Sequence, residues 1–177
     1  MQFNLIRHGS TQSGEPPFKV WVNVDHAGAL GPVATTNIWF GVGAPADRFV
    51  LPEGEPGRCD DLWQTTCFEA FLRGADEHSY REWNFAPSGQ WAAYDFSAYR
   101  AGKADAEVAS PYVRTEDNLT WWALGATIAV PAEVEWQLGL SAILEEKDGT
   151  KSYWALAHPP GDMPDFHMPD CFAARLA

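Results

Sequence analysis

The chain is short of positive charge, short of sulfur and without a long apolar run, and each scarcity removes a class of function. Twelve Lys and Arg stand against 24 Asp and Glu in 177 residues, a net charge of -12. Nucleic-acid binding depends on clustered cations that neutralise phosphates. Here the cations are scattered among acids, which argues against nucleic acid and other polyanions as partners. The three cysteines, Cys59, Cys67 and Cys171, are odd in number and lack paired metal-ligand spacing. Reduced thiols suit them better than a disulfide framework. No apolar run is long enough to cross a bilayer, so no membrane partner is expected. The N-terminus carries neither a sustained apolar segment nor a small-residue cleavage site, and the expected location is the cytoplasm. No internal repeat, low-complexity tract or long linker divides residues 1–177, which are expected to form a single domain.

What the chain does have is rings. Nine Trp, ten Phe and five Tyr accompany an apolar fraction of 46% with 20% charged residues. Such content fills a β-rich core or supplies stacking surfaces for ligands. The apolar residues alternate with period two, as strands require. Phe18, Val20, Val22 and Val24 share one face, as do Ile38, Phe40 and Val42. Phe68, Ala70 and Leu72 alternate against Cys67, Glu69 and Phe71. Tyr80 to Phe85 and Gln90 to Phe96 read as a hairpin closed by Pro87-Ser88-Gly89. The pattern continues from Trp122 to Val130, from Val134 to Leu144, and from Tyr153 to Ala157. Only Ala101 to Ala109 has helix-favouring composition, and it is short. About eight or nine strands separated by turn signals, with at most short helices, predict an all-β antiparallel sandwich.

The N-terminal stretch Leu5-Ile6-Arg7-His8-Gly9-Ser10-Thr11 looks like the signature of the histidine phosphatases, where a strand delivers a histidine nucleophile beside a charge-neutralising arginine. A nucleophile on an α/β scaffold should lead into a helix, yet Gly14-Glu15-Pro16-Pro17 follows. A Pro-Pro pair allows no helix interior. Phe3 to Arg7 is therefore read as an edge strand entering a loop. Hydrolysis by Arg7-His8-Gly9 is kept as a remote alternative, and catalysis is not expected.

Three segments are more specific: Leu62 to Leu72 (LWQTTCFEAFL), Glu82 to Arg100 (EWNFAPSGQWAAYDFSAYR) and Ser152 to Phe172 (SYWALAHPPGDMPDFHMPDCF). Together they resemble DOMON-like β-sandwich proteins related to family-nine carbohydrate-binding modules. The resemblance spans roughly Arg58 to Phe172. It implies a jelly-roll-like sandwich that binds sugars or, in some DOMON relatives, haem, without catalysis. In the sugar binders, two tryptophans sandwich a disaccharide while polar side chains read its hydroxyls. By position, Trp63 stands six residues before Glu69, matching the first stacking ring and its hydroxyl-reading glutamate. Trp154 matches the second platform and Asn84 a polar reader. Glu82 occupies a position where sugar binders carry arginine, and Lys151 one where an amide is expected.

The remaining candidates carry two readings each. Glu69, if inward-facing, needs a ligand or a partner such as Arg81 or His167. His158 and His167 frame the loop HPPGDMPDFH, either at the ligand or tying the last strand to the sandwich. Met163, His167 and Met168 raise haem as an alternative, with His158 or Met163 as the second axial donor. Asp60-Asp61 and Glu53 to Glu55 offer oxygen ligands for a structural calcium. No cofactor is required by the favoured reading, a small-molecule or glycan ligand held by Trp63, Glu69, Glu82, Asn84, Trp154, His158 and His167. The oligomeric state is left open.

Overall fold

The computed structural model describes residues 1–10, 17–27, 31–75 and 77–176. In chain order its strands are β1 (Gln2–Asn4), β2 (Ile6–Arg7), β3 (Val20–His26), β4 (Val33–Val42), β5 (Gly57–Arg58), β6 (Cys67–Gly74) and β7 (Tyr80–Phe85). There follow β8 (Gln90–Phe96), β9 (Ala104–Asp105), β10 (Tyr112–Asp117), β11 (Trp122–Pro131), β12 (Trp136–Glu145), β13 (Lys151–Ala155) and β14 (Ala174–Leu176). A five-stranded sheet runs β1-β3-β4-β11-β10. The second sheet runs β2-β13-β12-β6-β7-β8-β5, with β14 on β12 and β9 on β8. All pairings are antiparallel except β5 with β8. Among the described residues the helical content is three short 3-10 turns, at Ala46–Arg48, Leu62–Gln64 and Pro169–Cys171. The antiparallel sandwich expected from period-two patterning is the fold, and no helix of the described residues is long and apolar enough to cross a membrane.

The sheets bury the residues that alternation assigns to one face. Val20, Val22 and Val24 of β3, Ile38, Phe40 and Val42 of β4, and Leu124, Ala126 and Ile128 of β11 meet Phe68, Ala70 and Leu72 of β6 and the Leu138–Leu144 row of β12. A run of ring contacts threads this interior, from Trp154 through Phe18, Phe49, Trp122 and Phe68 to Phe40, with centroids 5.0–5.7 Å apart. Those spacings lie within the favourable range for tilted and edge-on pairs. On β6, every residue but Arg73 is buried, because its other face is covered as well. There Cys67 and Phe71 join Tyr80, Tyr94, Phe96 and Ile143 under Leu62, Phe166 and Phe172, which descend from loops.

Three expectations change. The N-terminal edge strand is two strands in two sheets: Phe3 pairs with Val22 in the smaller sheet, while Ile6 and Arg7 pair with Ala155 and Trp154 in the larger. Buried Leu5 is the crossing point, its N–H donating to the Val20 carbonyl. Thr11 and the Gly14-Glu15-Pro16 stretch lie outside the described residues. The helix-favouring run Ala101 to Ala109 is extended instead; Ala104 and Asp105 pair with Asp95 and Tyr94, and the Ala106 N–H donates to the Ala93 carbonyl. Alanine carries helix propensity, but here a sheet edge offers hydrogen bonds and a buried slot for Ala106. Tyr112–Asp117 is a strand that sequence reading missed, because it is a mostly exposed edge with Arg114, Glu116 and Asp117 in it.

Candidate functional site

The outer face of the larger sheet carries polar side chains where a sandwich strand needs none. Register places Ser141 of β12, Glu69 of β6 and Asn84 of β7 directly opposite one another. One step along the strands lie Phe71, Glu82 and Tyr94. Glu69 and Glu82 are therefore diagonal neighbours on the same face, within reach of each other's charge. Both are buried, at 3% and 6% exposure. Ser141 Oγ donates to Glu69 Oε2 at 2.8 Å, and Asn84 Nδ2 donates to Glu82 Oε1 at 2.7 Å. Asn84 itself is buried beneath this floor, with the Cys67 thiol donating to its Oδ1.

Above the pair is a cleft of about 730 Å³ lined by Glu69, Glu82, Tyr94, Arg100, Lys103, Tyr153, Phe166, His167 and Trp63, among others. Trp63 belongs to the 3-10 turn at Leu62–Gln64. Leu62 is anchored in the apolar cluster under the loops, while the indole of Trp63 is 52% exposed at the cleft lip. Opposite it, the segment after β13 brings Phe166 and His167 down. His167 is held by rings, with centroids 5.2 Å from both Phe71 and Phe96. Its Nδ1 lies 2.7 Å from the Tyr80 hydroxyl, whose oxygen accepts the Arg100 backbone N–H. The other ring nitrogen, Nε2, lies 3.8 Å from Glu82 Oε2.

Burial sets the protonation states. It pushes the Glu69 carboxyl up to about 8, helped by the charge of Glu82 and opposed by the Ser141 hydrogen bond. Glu82 is also raised by burial, against the pull of the Asn84 hydrogen bond and the positive charges of Lys103 and Arg100. His167 is lowered to about 4 by burial and by Arg100, so it is neutral near pH 7. Neither carboxyl has a lysine or arginine within ion-pair distance, and burial keeps Glu69 largely protonated near neutral pH.

The rim cations are engaged elsewhere. Arg100 pairs with Asp165 at 2.9 Å, and Lys151 reaches the Gln64 carbonyl and Glu145. The Lys103 ammonium sits 3.6 Å from the centroid of the Tyr94 ring.

The sequence-predicted residues therefore divide. Trp63, Glu69, Glu82 and His167 share the cleft, and Asn84 supports its floor. Trp154 does not join them. It is 2% exposed in the core between the sheets, tilted against the Phe18 ring, with its indole N–H on Ser152. On β13 it alternates with Tyr153, and the pleat sends Tyr153 to the cleft and Trp154 to the core. His158 lies off the cleft, its Nε2 at 2.7 Å from the Ile6 carbonyl, which ties the chain after β13 to β2. Of the partners considered for Glu69, Arg81 pairs with Asp95 instead, and His167 faces Glu82. His8 is buried against the His158 ring and hydrogen-bonded to Ser10, and among the described residues no α-helix backs it. Sequence reading missed Arg100, Lys103, Tyr94 and Phe166. Tyr94 was within reach, since it follows Glu82 across the predicted hairpin. Arg100 and Gly102 adopt left-handed conformations (φ 49° and 64°) that turn the chain over the cleft, and alanine-rich composition disguised that turn.

The donors do not fit haem, because His167 Nε2 faces a buried carboxyl and His158 is held at the opposite edge of the loop. Among the described residues no group of three His, Cys, Asp or Glu side chains is arranged to hold a metal ion, and Asp60 accepts the Tyr94 hydroxyl. A second depression of about 450 Å³ near Leu72, Trp83 and Trp136 has two of its charges, Arg81 and Asp95, paired with each other, while the third, Glu77, accepts from the Ser79 hydroxyl.

No family model and no curated protein matches the chain. Its structure is similar to the crystal structure of a "putative carbohydrate-binding protein" from Bacteroides uniformis, with a TM-score of 0.61 at 12% identity, over 97% of this chain and 83% of that one. At that identity the likeness concerns the fold, which the two share along almost the whole of this chain.

Proposed function

We propose that the chain is a non-catalytic carbohydrate-binding domain of the DOMON-like kind related to family-nine carbohydrate-binding modules, formed by residues 1–177 as one unit. The observation that carries this reading is the combination of an exposed indole, Trp63, with a hydrogen-bonded carboxyl pair, Glu69 and Glu82, in one cleft. A pyranose has apolar C–H faces and a polar rim, and these two features serve them separately. Trp63 provides the platform for a ring face. The floor reads hydroxyls, one carboxyl accepting and its protonated partner donating. Tyr94, Tyr153 and Phe166 narrow the walls, and Lys151 borders the lip beside Trp63. Tyr153 takes the wall position in place of Trp154. The Bacteroides uniformis protein of the same fold is itself described as carbohydrate-binding, which agrees with this reading.

Tryptophan fluorescence titrated with a broad oligosaccharide panel tests it. A binding sugar is expected to change the emission, and Trp63→Ala to weaken affinity about tenfold or more, the equivalent of about 1.4 kcal/mol. A folded wild type that responds to no member of the panel overturns the reading.

A further inference from the structure

We propose that the sugar taken by this cleft carries an ammonium group, seated between Glu69 and Glu82; the inference rests on the carbohydrate reading above and narrows it to amino sugars. Two buried carboxyls on adjacent strands cost far more than they return unless something positive compensates them. In this cleft the protein supplies only neutral donors, the Ser141 hydroxyl to Glu69 and the Asn84 amide to Glu82. The charges of Arg100 and Lys103 reach the pair from the cleft wall, but no nearby cation contacts it directly: Arg100 is bound to Asp165, Lys151 to Glu145, and Lys103 lies on the face of Tyr94. The one imidazole beside Glu82, that of His167, is enclosed by Phe71, Tyr80 and Phe96 and held neutral. The floor is thus a pair of acids without a directly bound cation, and it is open to the cleft.

A hexosamine suits both parts of the site. Its ring face lies on Trp63, and its ammonium replaces the proton held by the carboxyl pair, forming charge-assisted hydrogen bonds with both acids. The displaced proton passes to solvent, so binding is accompanied by proton release. Remaining groups around the pair are Asp165 and Tyr99 beside Arg100, Asp60 on Tyr94, and the Cys67 thiol, which burial holds protonated. None of these supplies a compensating positive charge.

Isothermal titration calorimetry with three disaccharides isolates the amine: the β-1,4 glucosamine dimer, its N-acetylated counterpart and cellobiose. The glucosamine dimer is expected to bind at least about tenfold more tightly than either other sugar. Repeating the titration at about pH 6.5 in buffers of different ionisation enthalpy should show release of about one proton with the glucosamine dimer and none with cellobiose. Glu69→Gln, checked for folding by circular dichroism, should erase both the preference and the release. Should that variant fail to fold, the proton count on the wild type decides the matter. Equal or tighter binding of cellobiose or the N-acetylated dimer overturns the ammonium proposal and leaves the carbohydrate reading standing. Absence of binding by all three, and by the wider panel, removes both.

Discussion

At the scale of single residues, two tryptophans with the same apparent promise have opposite fates, and the pleat decides between them. Trp63 sits on a 3-10 turn, where no periodicity fixes its direction, and its indole stands in solvent. Trp154 sits on a strand between Tyr153 and Ala155, and alternate residues must face alternate sides. Trp63→Ala should therefore change stability by less than about 0.5 kcal/mol while impairing binding. Trp154→Ala removes a fully enclosed ring packed on Phe18 and should cost about 3–5 kcal/mol. Urea unfolding of both variants checks the contrast; a comparable loss in Trp63→Ala would place that indole in the fold rather than in the site. Glu69 was legible because a carboxyl inside a run such as Cys67-Phe68-Glu69-Ala70-Phe71 is anomalous in a strand with two buried faces. Its nearest titratable neighbour was not legible, since the diagonal relation to Glu82 depends on a register that only the paired strands define.

At the scale of elements, the strands were legible and the loops that finish the site were not. The period-two pattern placed β3, β6, β7, β8, β11 and β13 close to their observed positions, because each buries one complete face. The segment after β13 follows no period. Its path is held by individual contacts: His158 on Ile6, Asp165 on Tyr99 and Arg100, and His167 on Tyr80. Tyr80 is central, since one hydroxyl joins β7, the loop after β8 and this segment. Tyr80→Phe should retain the stacked contact with Phe96, whose rings are 6° from parallel, while releasing His167 and the Arg100 N–H. The expected global cost is about 1 kcal/mol. Amide hydrogen exchange should rise selectively in residues 97–103 and 163–168; an unchanged pattern there would show that the hydroxyl does not hold these segments.

At the scale of the whole molecule, the buried acids and the neutral imidazole give stability a particular shape against pH. Glu69 titrates near 8 when folded, against an ordinary 4.5. Between those values the folded chain keeps a proton that the unfolded chain has lost, so stability falls as pH rises through this window. Glu82 is shifted in the same direction and adds to the fall. His167 works oppositely: it titrates near 4 when folded, against an ordinary 6.5. Here the unfolded chain holds the extra proton, and stability is lost as pH falls from about 6.5 toward 4. The two slopes oppose each other between about 4.5 and 6.5. Above 6.5 the histidine contributes no slope and the carboxyl pair alone remains, so stability should decline from there to about 8. Glu69→Gln keeps a side chain that can still accept from Ser141 but has no proton to lose. Its urea midpoint should therefore fall less steeply over pH 6.5 to 8 than that of the wild type, Glu82 alone supplying what slope remains. An equal alkaline decline in the variant would mean that Glu69 is already ionised near neutrality. The floor of the cleft would then carry its full negative charge before any ligand arrives, and no proton would be left for a ligand to displace.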